Sequence, residues 1–304
     1  MIYEYALEPE LVATWGDLKS SGFFFSAFGL GQGRLLSRYP KSWKLLVWEA
    51  FRAKSVMEKK RMEELLIRLS ERMVVRKQYC WEPAKKSWLE NAENEHDLSW
   101  PFQAILARGN PRDKSYVLTE DELYRCDSEL WDIRHGRTVR RKASEMAQAI
   151  LPMLKCCTTA KFIDPNISLD KVRYRRSLSA FFQCLRGNAP SGKPRSIEIH
   201  TSDSCGASTE YLRDRYQSIV PRGMDVTLFQ WKEKPNGLRL HNRYVLTDLG
   251  GVSFQHGLDE GREGDTDDLN LLEIKQYKER WEQYALNSSA FDVAEEPMVI
   301  SGMK

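Results

Sequence analysis

Apolar and polar positions follow two different rhythms along this chain. From Lys41 to Lys77 there is no glycine, and Trp43, Leu46, Val47, Ala50, Met62, Leu65, Leu66, Leu69 and Met73 recur at three- and four-residue intervals. That spacing lines one face of a helix. It predicts a mainly α-helical N-terminal domain over 1–154. Beyond Lys155 short apolar runs bounded by glycine and proline take over. They predict strands at Lys161–Asp164, Ser196–His200, Asp225–Trp231, Leu240–Asp248 and Val252–His256, with helices at Ser177–Arg186 and Thr209–Ile219. Strands alternating with helices imply an α/β domain over 155–304, a mixed sheet flanked by helices. Only Ala294–Lys304 reads as a disordered tail.

The length of 304 residues suits two cores. With 46 Lys and Arg against 43 Asp and Glu, the net charge of +3 gives only a weakly basic average field. A polyanionic partner must therefore be argued from local clusters. Six cysteines (Cys80, Cys126, Cys156, Cys157, Cys184, Cys205) form no C-x-x-C pair. They read as free thiols in a reducing cytoplasm. The opening Met1–Leu11 carries acids where a leader would be basic and then apolar, and the apolar run around Gly22–Leu30 is too short and too glycine-broken to span a bilayer. The expectation is a soluble cytoplasmic protein with no membrane partner.

The densest chemistry lies in Leu240-His241-Asn242-Arg243-Tyr244-Val245-Leu246-Thr247-Asp248. On a strand, residues i and i+2 share a face, so His241 and Arg243 would project together toward one ligand. A guanidinium grips phosphate through two parallel hydrogen bonds. The competing reading is a buried strand whose histidine and arginine are satisfied by carboxylates such as Asp259 or Glu260.

This spacing resembles the H-x-K-x4-D signature of the phospholipase D superfamily, with Arg243 where lysine is usual. The family pattern continues with a Gly-Ser pair; here Gln255 and His256 stand in those places. The predicted order of strands before the signature is similar to one repeat of that fold, and Ile163-Asp164-Pro165 resembles the end of its first strand. The resemblance implies a metal-independent phosphodiesterase, most simply a nuclease. His241 would be the nucleophile, Arg243 would neutralise the phosphoryl oxygens, and Asp248 would orient the site. A second histidine is needed to protonate the leaving oxygen. Single-copy members usually take it from a twofold partner, which implies a homodimer. His256 and His200, each at a predicted strand end, are candidates within one chain. No cofactor is implied. The architecture also resembles effectors of anti-phage defence.

Further clusters extend the picture. Arg134, His135, Arg137, Arg140, Arg141 and Lys142 form a basic group without interleaved acids, and Arg137, Arg140 and Arg141 are the expected contacts to DNA or RNA phosphates. Glu198, Asp203, Asp259, Glu260, Asp265, Asp267 and Asp268 could supply a metal site, but Glu260–Asp268 reads more simply as an exposed loop, so no metal is expected. Gly29-Leu30-Gly31-Gln32-Gly33-Arg34 lacks the lysine and hydroxyl of a phosphate loop. The tryptophans of the first half read as core anchors, and the N-terminal domain as the surface for a protein partner. Set against the enzyme is a non-catalytic phosphate or nucleic-acid-binding module, acting as a sensor or assembly subunit.

Overall fold

The computed structural model describes every residue except 54, 71, 72, 77, 78, 126, 127, 188, 190, 191, 193, 204–208 and 304. Two compact units emerge: residues 2–134 with 190–192, and Met1 with 135–189 and 193–304.

The first unit is α/β, not mainly helical. In chain order it contains β1 (Tyr3–Leu7), α1 (Pro9–Val12), α2 (Leu18–Ala27), β2 (Arg34–Arg38), α3 (Trp43–Ala50), α4 (Val56–Ser70), β3 (Met73–Val75), α5 (Trp88–Leu98), β4 (Ala104–Ala107), β5 (Val117–Thr119) and α6 (Glu120–Arg125). The strands form one parallel sheet in the order β3-β2-β1-β4-β5. Both faces are covered. Tyr5, Leu7, Leu36, Ala104, Leu106 and Leu118 belong to one apolar cluster, and Ala6, Ile105, Ala107 and Val117 to another. Strands buried on both faces lack polar alternation. Short ones embedded among helices therefore read as more helix.

The predicted helix at Lys41–Lys77 is in fact two helices followed by a strand. Ser55 Oγ accepts from the Glu58 amide (3.2 Å) at the start of α4. The Ser55-x-x-Glu58 spacing is the helix-start signal that marks this break. Within α4, Met62, Leu65, Leu66 and Leu69 are buried, as the periodicity predicts. Trp15, Trp43 and Trp131 are fully buried anchors.

The second unit contains β6 (Gly136–Arg140), α7 (Ala143–Ala149), α8 (Leu151–Cys156), β7 (Thr159–Ile163), α9 (Val172–Cys184), β8 (Ser196–Ser202), α10 (Thr209–Gln217), β9 (Asp225–Lys232), β10 (Tyr244–Thr247), β11 (Gly250–Phe254), β12 (Thr266–Leu271), α11 (Ile274–Gln283), β13 (Asp292–Val293) and β14 (Met298–Ser301). Its sheet runs β13-β9-β8-β7-β10-β11-β12-β6, with β14 also on β9. The β7-β8-β9 core is parallel, and β10, β11, β12 and β6 continue it antiparallel. Phe162, Phe181, Phe182 and Phe254 pack together on the α9 side. Ile163, Tyr244, Leu246 and Tyr277 join the apolar cluster on the α11 side.

Two expectations fail here. Glu260–Asp268 is not simply an exposed loop, because Thr266–Leu271 is a strand with the alternation of a half-buried one. Its inward position Asp267 is polar and 1% exposed, so the apolar half of the pattern is broken. The Ala294–Lys304 tail carries β14, held against β9 through Met298↔Leu228 and Ile300↔Val226. The described cysteines Cys80, Cys156, Cys157 and Cys184 are free thiols, and Cys126 and Cys205 lie outside the described residues. Among the described residues no helix is long and apolar enough to cross a membrane.

Candidate functional site

The β7–β10 ladder organises the site. Its register pairs Tyr244 with Ile163 and Thr247 with Ala160. Extending it by one rung at each end sets Arg243 opposite Asp164 and Asp248 opposite Thr159. Strand β10 begins at Tyr244, so His241 and Arg243 lie on the extended segment before the strand, not within it. The Arg243 carbonyl still accepts from the Phe254 amide (3.0 Å), a rung toward β11.

Asp164 closes β7. Its amide donates to the His200 carbonyl (3.1 Å), and its side chain is wholly buried. Strand alternation sends Ile163 toward α11 and Asp164 toward α9. There its carboxylate accepts from the amides of Asn166 (2.9 Å) and Leu258 (2.9 Å), with the Tyr174 hydroxyl at 3.4 Å. Arg243 Nε lies 4.0 Å from Asp164 Oδ1, shielded from solvent and without a hydrogen bond among the described residues. Burial pushes the Asp164 carboxyl above the usual carboxylate range, against the pull of the two amides and Arg243.

A second carboxylate gathers two more cations. Asp259 accepts from Arg141 Nη2 (2.7 Å) and forms an ion pair with Arg173 Nε (2.9 Å). Glu260 beside it accepts from the Ala143 amide (3.0 Å) and Arg176 (3.3 Å). Gly257 turns the chain into this knot at φ +130°, where a Cβ would stand 2.8 Å from Asp259 Oδ1 and 3.1 Å from Asp164 Oδ2. Only glycine fits there.

His241 and His256 are both exposed. Each lies two positions beyond the Arg243–Phe254 rung, on adjacent segments at one end of the sheet. Past that rung the amides of Gln255 (3.0 Å) and His256 (3.3 Å) turn to the buried carboxylate of Asp267. Burial raises the Asp267 carboxyl, and the two amides act against the rise.

His200 and Asp248 are placed elsewhere. His200 is buried, stacked on Phe229 at 4.7 Å, and both ring nitrogens are used. Trp231 Nε1 donates to Nδ1 (3.0 Å), so Nε2 carries the proton toward Glu198 (3.0 Å). Glu198 also pairs with Lys161 Nζ (3.1 Å). No part of this ring reaches solvent. Asp248 lies at the other end of β10, about 16 Å from Arg243 along an extended chain. Its carboxylate accepts from the Thr158 amide (2.8 Å) and hydroxyl (2.6 Å) and the Thr159 amide (3.1 Å).

Arg137 and Arg140 are exposed on the edge strand β6, and Arg140 pairs with Glu145 (2.6 Å). Of the basic group, Arg141 reaches the carboxylate knot. The acids weighed for a metal are dispersed: Glu198 serves His200 and Lys161, Asp203 pairs with Lys232 (3.4 Å), and Asp268 accepts from Thr138 (2.5 Å). Sequence reasoning places Arg173 only in a basic group with Lys171, Arg175 and Arg176 suited to nucleic-acid phosphates, and assigns Tyr174 no role. Asp164 carried one local sign, the Asp-Pro at a strand end.

No protein-family model matches the chain, and no curated protein matches it. Among solved structures it is similar to TrmBL2, an archaeal chromatin protein whose structure shows a novel mode of DNA binding, at 11% identity and a TM-score of 0.26. That match covers 56% of this chain and 60% of TrmBL2. A likeness at this level carries no functional argument.

Proposed function

We propose that the C-terminal unit is a phosphodiesterase acting on nucleic acid at the rim formed by Arg243, His241 and His256. The observation that carries this reading is that two exposed histidines lie on adjacent segments at one sheet end, each two positions beyond the Arg243–Phe254 rung. In the reaction His241 attacks phosphorus and the ester oxygen departs with a proton from His256. Water, deprotonated by His256, then breaks the phosphorus–His241 bond and releases the other strand with a phosphomonoester end. Arg243 offers its Nη groups to the phosphoryl oxygens that gain charge in each step. Both histidines come from one chain, so a homodimer is not required. Arg137 and Arg140 would carry the strand beyond the reacting phosphate.

A second reading, binding without turnover, has its own support. Arg141 and Arg173 already hold Asp259, and no carboxylate hydrogen-bonds either exposed imidazole among the described residues. Labelled single- and double-stranded DNA and RNA, incubated in EDTA with wild type, His241→Ala and His256→Ala, separate the two on a denaturing gel. Cleavage by wild type alone is the expected result. Retained binding with no cleavage by any of the three would replace the enzyme by the binding module.

A further inference from the structure

We infer that Asp164 is the positioning residue of this site, holding Arg243 and the His256-bearing turn in one frame; the inference rests on the phosphate site proposed above and deepens it. Three separate segments converge on its carboxylate. From the turn after β11 comes the Leu258 amide (2.9 Å), from α9 the Tyr174 hydroxyl (3.4 Å), and from the entry to β10 the Arg243 guanidinium (4.0 Å). Asn166 fixes the carboxylate itself through its amide (2.9 Å). Arg243 Nε has no other partner among the described residues, so the Asp164 charge is what directs the buried edge of the guanidinium. Its Nη groups are thereby left to face a ligand, because the planar fork turns as one body. Gly257 brings the turn so close that no other residue fits between Asp164 and Asp259. Loss of the Asp164 charge would free the phosphate-binding arginine and the turn together. Each of the two histidine-bearing segments would lose its common reference.

The test is titration of the full chain with inorganic phosphate, followed by NMR of the histidine Cε1–H signals. In wild type the His241 and His256 signals are expected to move with one apparent affinity. Asp164→Asn keeps the shape and removes the charge; phosphate affinity should fall at least fivefold at both histidines. Arg243→Lys should fall similarly, and the double variant should bind no more weakly than the worse single one, as expected when one residue acts through the other. A merely structural Asp164 would lower the melting temperature and leave affinity below the melt unchanged, which overturns the inference alone. Phosphate that moves neither histidine in wild type overturns the site reading, and this inference with it. Should Asp164→Asn not fold, Gly257→Ala crowds the same carboxylate from the turn side. Wild-type phosphate affinity in that variant would equally overturn the coupling.

Discussion

His200→Ala separates a buried structural histidine from a catalytic one. The ring is 1% exposed, parallel to Phe229 (4.7 Å, 7°) and Trp231 (5.9 Å, 9°), and the acceptor for Trp231 Nε1. Truncation orphans that buried donor, which costs about 1–3 kcal/mol. Removing a stacked ring from a packed layer costs about 3–5 kcal/mol when the cavity does not collapse. The two overlap, so the expected loss is about 4 kcal/mol, a large share of the roughly 5–15 kcal/mol that holds a domain. Urea unfolding followed by tryptophan fluorescence should show only the transition of the C-terminal unit moving. Acid should act in the same direction. Burial holds the His200 pKa below its ordinary 6.5, with the Glu198 carboxylate partly opposing. The unfolded chain therefore takes up the proton first, and stability present above about pH 6.5 is lost as pH falls through that value. His200→Gln can still accept from Trp231 and donate to Glu198 but does not ionise, so its stability should vary less between pH 7.5 and 5.5. A loss under about 1 kcal/mol together with abolished cleavage would refute the reasoning and return His200 to the site.

Asp248→Ala removes an acceptor of three hydrogen bonds at an exposed strand end, and about 2 kcal/mol of stability should go with it. Cleavage per folded molecule should stay within about twofold of wild type; lost cleavage with an unchanged melt would restore Asp248 to the chemistry. In the first unit, Arg76 holds Glu4 (2.8 Å) and Glu95 (2.9 Å) with all three side chains at most 4% exposed. Arg76→Met strands two buried carboxylates, and chemical denaturation should register a loss of about 3–5 kcal/mol in that unit, with a loss under 1 kcal/mol counting against the network. Arg137 is exposed on an edge strand. Arg137→Ala should weaken oligonucleotide binding about equally for all sequences and reduce the salt slope by about 1, as read by fluorescence anisotropy at several salt concentrations; an unchanged slope would remove it from the interface.

What could be read from the sequence was local. The strands predicted at Lys161, Ser196, Asp225 and Val252 and the helices at Ser177 and Thr209 all exist, because each carries its own apolar period. The parallel sheet of the first unit was hidden because β1, β2 and β4 are buried on both faces, leaving no inside–outside alternation to find. Glu4 occupies a buried place in β1 only because Arg76, 72 residues later, neutralises it. Likewise Asp267 broke the pattern of β12 while serving two amides just past the end of β11. A buried charge looks like a surface residue until its distant partner is known. The Asp164 knot draws on α9, on the segment leading into β10 and on a turn 94 residues away, so no window of sequence contains it.

The spacing of the signature nevertheless has a physical meaning. The four residues between Arg243 and Asp248 are strand β10 itself. One end of that strand carries the cation that faces Asp164, and the other carries a carboxylate that clamps Thr158 and Thr159 at the start of β7. Because β7 and β10 are antiparallel, the two ends belong to one ladder, and Thr247↔Ala160 fixes Tyr244↔Ile163. A slip of one residue would turn every side chain of β10 to the opposite face, sending Tyr244 and Leu246 out of their apolar cluster and Arg243 away from Asp164. Asp248 therefore adds stability to a ladder whose register is already carried by four paired rungs, without approaching Arg243 or Asp164. Under the function proposed above, the H-x-R-x4-D pattern has a ligand end and an anchor end on a single strand. On that view the His241 and Arg243 positions answer to ligand chemistry and Asp248 to strand pairing, so substitutions at the two ends should separate cleanly into binding and stability effects.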